Sequence, residues 1–240
     1  MTVARTETSP VEPLFLIVPG LNNSGPDHWQ SLWEEQRSDC RRVDLGMWAS
    51  PHRNTWVNKL NLAIREAGRP VVLVAHSLGC LAVAWWAQLE QPEPGHNVIG
   101  ALLVAPPEVD FFPLDKRLEG FSPTPAQPLP FPSILTASRN DPYIGIRTAR
   151  RLAKTWGSRF ADAGEVGHIN AASNIGDWPF GQFLLDQLLA RTGASNGIAE
   201  AGASSELDPG RAVARQAPDR FDAGFVAHQD GNPILGGLQA

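Results

Sequence analysis

Three residues in this chain have the types and the order that acyl-transfer chemistry requires: Ser77 in "VVLVAHSLGC", Asp141 in "SRNDPYIG" and His168 in "GEVGHINAASNIGDWP". An alkyl hydroxyl is a weak nucleophile at neutral pH, so it needs a base touching its Oγ and an acid that orients the base. Taken singly, each residue has a plainer explanation. Serine is a common helix N-cap, Asp before proline is a turn residue, and a glycine-bracketed histidine can simply be hydrogen-bonded within a loop. Their joint placement, each just after an apolar run that reads as a strand, makes the chemical reading the better one.

The surroundings of Ser77 sharpen this reading. A strand, a sharp turn holding one serine and a helix form the context of the G-x-S-x-G nucleophile elbow, in which the backbone at serine is strained and its flanks must be small. Gly79 meets this demand, and Ala75, standing where the first glycine is usual, adds one methyl. The order Ser…Asp…His is the one expected of an α/β-hydrolase and differs from the orders used by other triad folds. Such an enzyme also needs N–H donors aimed at the developing oxyanion. The backbone N–H of Leu78 is the natural first donor, and the loop "PGLNNSG" after the first strand should supply the second, from Leu21 or, as the alternative, Asn22.

Asn22, His28 and His76 are the further pocket-lining candidates. His76 reads as a support or lining residue rather than the base, because adjacent side chains on such a turn point apart. His28 is either a residue of the pocket mouth or an incidental helix-start histidine. Asp27 is expected to be the N-cap of the helix at "HWQSLWEEQ". Trp29 and Trp33, on one face of that helix with Leu32, and Trp85 and Trp86 in the helix after Ser77, are read as core.

The elements that must position these residues follow a regular rhythm. Short, continuous β-branched runs at 14–18, 71–74, 98–107 and 133–138 are those of strands buried on both faces. Weaker strands are expected near 42–45 and 159–161. Between them fall helical patterns near 27–36, 55–66, 80–90, 146–156 and 181–191. Strands alternating with helices imply right-handed βαβ units and a mostly parallel sheet with helices on both faces. Two regions depart from this rhythm. The stretch from Pro106 to Pro132 holds eight prolines and reads as a long irregular excursion of the kind that often forms a lid or binding loop. From Arg191 onward Gly and Ala make up 18 of 50 residues, without Trp, Tyr or Lys, so this tail is expected to be largely disordered, with a weak helix near 211–215. The expected organisation is a flexible segment 1–10, an α/β domain 11–190 and a low-complexity tail 191–240.

Composition excludes several function classes. A net charge of −5 without any basic run gives no reason to expect nucleic acid or an anionic membrane as partner. No apolar stretch approaches the roughly 20 residues that span a bilayer, and the amino terminus lacks the apolar core of a secretory signal. Cys40 and Cys80 show no metal-ligand spacing. The expectation is a cytoplasmic protein without metal or cofactor. A small acyl compound is the expected partner, and no feature of the chain supports a protein partner.

"VPGLNNSGPDHWQSLWE", "LVAHSLGC", "SRNDPYI" and "GHINAASNIGDWPFG" together resemble the small serine hydrolases related to retinoblastoma-binding protein nine and the bacterial YdeN-type proteins, over about residues 14–189. The resemblance implies an α/β-hydrolase fold with little or no cap and a triad matching Ser77, Asp141 and His168. It further implies carboxylesterase-like activity towards small acyl esters, with peptidase-like activity described for some members. The tail after Arg191 has no counterpart in that pattern. Two rival readings share these residues: an acyltransferase using the same triad, and a weakly catalytic or non-catalytic scaffold that binds a protein partner.

Overall fold

Seven parallel strands form one sheet in the order β2-β1-β3-β4-β5-β6-β7. They are β1 (Leu14–Val18), β2 (Cys40–Arg42), β3 (Val71–His76), β4 (Val98–Val104), β5 (Ser133–Ala137), β6 (Arg159–Asp162) and β7 (Glu206–Leu207). The computed structural model describes residues 11–192, apart from 112 and 114, together with the strand 206–207. The expected segment 1–10, most of the tail and the weak helix near 211–215 lie outside the described residues.

Among the described residues five helices cover the sheet: α1 (Trp29–Gln36), α2 (Arg53–Arg65), α3 (Leu78–Glu90), α4 (Ile146–Trp156) and α5 (Pro179–Thr192). Their sides follow from the two-residue repeat of a strand. Leu14, Leu16, Val18, Val71, Leu73, Ala75, Leu103 and Leu135 point into a core shared with α2, α3 and α4. Their neighbours Phe15, Ile17, Val72, Val74, Leu102, Val104 and Ile134 point the other way, onto α1 and α5. A strand with helices on both faces has no polar side, which is why these runs are continuously apolar. Helix α3 is apolar nearly all round because it is buried nearly all round, from Leu78 to Ala87.

Local readings needed correction at three places. The second strand is Cys40–Arg42 rather than 42–45: its backbone pairs with Phe15–Ile17 at the sheet edge, whereas Val43 and Leu45 are buried beyond the ladder. The N-cap of α1 is His28, not Asp27. His28 Nδ1 accepts from the N–H of Gln30 at 3.1 Å, and Asp27 lies exposed in the preceding turn. The proline-rich excursion is not wholly irregular, since it contains a 3₁₀ turn at Lys116–Phe121. It is tied to the body by indole N–H groups: Trp85 Nε1 donates to Phe121 O (2.8 Å) and Trp156 Nε1 to Pro125 O (2.7 Å). Among the described residues no helix is long and apolar enough to cross a membrane.

Candidate active site

Because all strands run the same way, the residues that follow them gather at one edge of the sheet, where an open α/β fold places its chemistry. β3 ends at His76 and α3 begins at Leu78, so Ser77 alone makes the turn, with φ 53° and ψ −125°. A non-glycine residue held there costs about 1–3 kcal/mol and persists only where its surroundings fix it. The Ser77 N–H donates to Val104 O on the neighbouring strand (2.8 Å), and Ser77 O accepts from the Cys80 N–H (2.9 Å). Gly79 allows the helix to come this close, since a Cβ there would lie 2.3 Å from Val18 O and 2.6 Å from Pro19 O. The small-residue demand is therefore strict at position 79. At position 75 the alanine methyl is simply absorbed into the core.

Ser77 occupies the N-cap position of α3, yet its side chain caps nothing. Its Oγ lies 2.9 Å from His168 Nε2, and His168 Nδ1 lies 2.9 and 3.0 Å from Asp141 Oδ2 and Oδ1. The Asp141 carboxylate is wholly buried and also accepts the N–H of Tyr143 at 2.9 Å. An ionised carboxylate only accepts, so the Asp141 partner assigns the ring proton to Nδ1. That leaves Nε2 as acceptor for the serine hydroxyl.

His168 lies on the loop between β6 and α5, flanked by Gly167 (φ 60°) and Ile169 (φ 49°). A β-branched residue with positive φ is strained, and the loop is held from several sides. Ser138 Oγ accepts the Val166 N–H (2.9 Å) and Asn140 Oδ1 the Gly167 N–H (2.7 Å). Trp29 Nε1 donates to Ile169 O (2.9 Å) and Trp33 Nε1 to Asp177 O (2.6 Å). The sequence marked Trp29 and Trp33 as core, which they are. A buried indole needs an acceptor for its N–H, but the pattern of the chain does not reveal one more than 100 residues away.

His76 is also buried beneath this loop, with its Nε2 2.9 Å from His168 O. Its ring stands 5.0 Å from that of His168 and 4.7 Å from that of His28. Burial pushes His76 well below the usual imidazole range, with His28 and His168 adding to the effect. Burial likewise pushes His28 down to about 4, with Arg42 and His168 contributing. Both rings are thus neutral near pH 7, and His76 donates through Nε2–H. His28 is 5 % exposed with its ring against that of His76, and of the two readings, pocket mouth or helix-start histidine, its place as the buried cap of α1 fits the second. The ring of His76 contacts those of both His28 and His168.

The loop after β1 closes over Ser77. A Cβ on Gly20 would lie 2.8 Å from Ser77 Cβ and 3.2 Å from Leu78 N. Among the described residues the N–H groups of Leu21 and Leu78 have no protein acceptor. The N–H of Asn22 is committed to Trp48 O at 2.9 Å, which removes it as a donor, and its exposed side chain accepts from Arg117 Nη1 at 3.2 Å. Tyr143, which sequence reasoning passed over, lays its ring 4.4 Å from that of His168 and forms one wall of a cavity of ≈ 260 Å³ with Glu108, Pro142 and Gly145. A second cavity of ≈ 210 Å³ lies between the proline-rich excursion and α4, and the walls of the two cavities include neither Ser77 nor His168. Among the described residues no cluster of three or more His, Cys, Asp or Glu is placed to hold a metal ion.

Comparison with known proteins agrees with this architecture. A family model described as serine hydrolase matches residues 15–187. A YdeN-like hydrolase from Pectobacterium atrosepticum is 32% identical, with a TM-score of 0.67 over 75% of this chain and 92% of that one. The ydeN gene product of B. subtilis is 19% identical, with a TM-score of 0.61 over 75% of this chain and 100% of that one. The monoacylglycerol lipase of Paleococcus ferrophilus shares the fold at 12% identity and a TM-score of 0.55, over 77% of this chain and 96% of that one. No curated protein matches the chain. With the family model spanning the sheet from β1 to α5, and with a hydrolase relative aligned over most of its length, the chain belongs to the serine hydrolase family.

Proposed function

We propose that the protein is a carboxylesterase-like serine hydrolase in which Ser77, His168 and Asp141 act as nucleophile, base and orienting acid on a small acyl ester. One observation carries the reading: an unbroken run of hydrogen bonds from Ser77 Oγ through both nitrogens of His168 to a buried carboxylate. A scaffold that only binds partners has no need for this register.

As Ser77 Oγ bonds to the acyl carbon, His168 Nε2 takes its proton and becomes an imidazolium beside Asp141. The carbonyl oxygen gains negative charge opposite the N–H groups of Leu78 and Leu21, each such donor contributing ~3 kcal/mol to lowering the barrier. Collapse breaks the bond to the leaving alkoxide, which receives the proton from Nε2. Water then gives its proton to the same nitrogen as it attacks the acyl-serine, and breaking the Oγ–acyl bond returns that proton to Ser77 and releases the acid.

A fluorophosphonate probe should label the wild-type chain and leave a folded Ser77→Ala unlabelled. Absence of wild-type labelling between about pH 6 and 9 overturns the reading. A panel of p-nitrophenyl esters of increasing chain length then defines the acyl preference.

A further inference from the structure

The two groups that bind the His168 ring are each preceded in the chain by a residue that grips the histidine loop, at His168 O in one case and at the Gly167 N–H in the other. His76 precedes Ser77, and its Nε2–H donates to His168 O at 2.9 Å. Asn140 precedes Asp141, and its Oδ1 accepts the Gly167 N–H at 2.7 Å while also accepting from Ser138 Oγ at 2.7 Å. The backbone of the base is thus fixed on both sides, by the same two turns that carry its ring partners. Trp29 extends the hold by one residue, to Ile169 O.

We propose that His76 and Asn140 are positioning residues that act as a two-point gauge, setting the His168–Ser77 and His168–Asp141 separations through the backbone of the histidine loop. The inference rests on the triad reading above. Its physical basis is leverage. The imidazole sits between two residues of positive φ, so its backbone has no regular ladder to hold it, and a shift of the peptide at His168 or Gly167 carries the ring with it. Because each grip comes from the residue next to a ring partner, a movement of the Ser77 turn or the Asp141 turn drags the loop along and preserves both hydrogen bonds. Merely satisfying buried polar groups would not require this pairing. The Asn140 side chain is at an exposed residue, where water could serve the Gly167 N–H instead.

The test uses His76→Leu, His76→Gln and Asn140→Ala in the full chain, with p-nitrophenyl acetate as substrate, below the onset of thermal unfolding. Glutamine places an N–H donor near the position of Nε2, whereas leucine does not. His76→Leu should lower kcat by about tenfold or more and Asn140→Ala by less, each with KM within about twofold of wild type, because only the reactive geometry is disturbed. His76→Gln should recover most of the loss. Independently of turnover, the downfield proton resonance of His168 Nδ1–H, bonded to Asp141, should broaden or shift in His76→Leu and Asn140→Ala and return in His76→Gln. Folded variants with wild-type kcat, or a reduced kcat with an unchanged resonance, overturn the proposal. If the wild-type chain fails to label with fluorophosphonate, the triad reading falls, while the resonance still reports whether the gauge sets the ring.

Discussion

Two long irregular segments leave the same edge of the sheet; both are fastened by indoles, but among the described residues only the first has amides that donate to side chains outside itself. The histidine loop between β6 and α5 is gripped from inside the protein: its carbonyls accept from His76, Trp29 and Trp33, and its amides donate to Ser138 and Asn140. The proline-rich excursion between β4 and β5 is held by Trp85 at Phe121 O and Trp156 at Pro125 O, with the Glu108 N–H donating to Tyr143 O and the Leu129 N–H to Trp156 O, and ahead of the indole anchors it exposes Phe111 at 76 %. Its Asp115–Arg117 pair lies on the surface, where ion pairs contribute little. The first segment carries His168, and the second lines a cavity against α4. A fold places its polar anchors where geometry must not drift.

The largest test of this contrast lies in the histidine loop itself. His168→Ala should lower kcat by on the order of 10⁴-fold or more, measured by ester turnover at constant labelling conditions, because the serine loses its base. Next comes acid sensitivity centred on the imidazoles under that loop. The unfolded chain protonates His28 below its ordinary 6.5, whereas the folded chain does so only near 4. Stability is therefore complete above pH 6.5 and is lost as pH falls towards 4, by about 3 kcal/mol from His28. His28→Asn keeps a cap acceptor and removes this titration, so urea midpoints for the variant should fall less steeply over that interval. A slope unchanged from wild type would contradict the assignment.

A smaller effect is expected where the loop ends. Trp178 packs 4.9 Å from Trp29, and a Cβ at Gly181 would lie 2.0 Å from the Trp178 ring. Gly181→Ala should destabilise by about 1–3 kcal/mol in thermal unfolding, despite alanine's better helix propensity, because the overpacked ring cannot yield. The smallest change belongs to the excursion. Arg117→Ala removes contacts to Asn22 Oδ1 and Ala49 O, and should alter kcat/KM by about twofold at most. A loss there comparable to that of His76→Leu would erase the distinction between the two segments.

Legibility in the sequence followed the same divide. The central strands were readable because burial on both faces writes them as unbroken apolar runs, and the meeting of Ser77, Asp141 and His168 because each lies in the segment that follows a strand. The edge strand Cys40–Arg42 has no such run, since its residues are only partly buried and the backbone alone makes the pairing. Asp27 looked like a cap by residue type, but His28 offers Nδ1 from the position with the right backbone. Leu21 stood ahead of Asn22 as the second donor, and that the Asn22 N–H is engaged by Trp48 O, from a loop after another strand, was not legible in the chain. Long-range acceptors for side-chain N–H groups were the general blind spot.

The two thiols have a use outside catalysis. Cys80, three positions past Ser77, is fully buried, and burial pushes its thiol far above the ordinary range. Burial also pushes Cys40 up to about 11. A maleimide reacts with thiolate, so the native chain is close to blank towards it. A single engineered cysteine such as Phe111→Cys would then carry a fluorophore or spin label on the excursion alone, giving a direct report of that segment during turnover without first stripping the chain of its own cysteines.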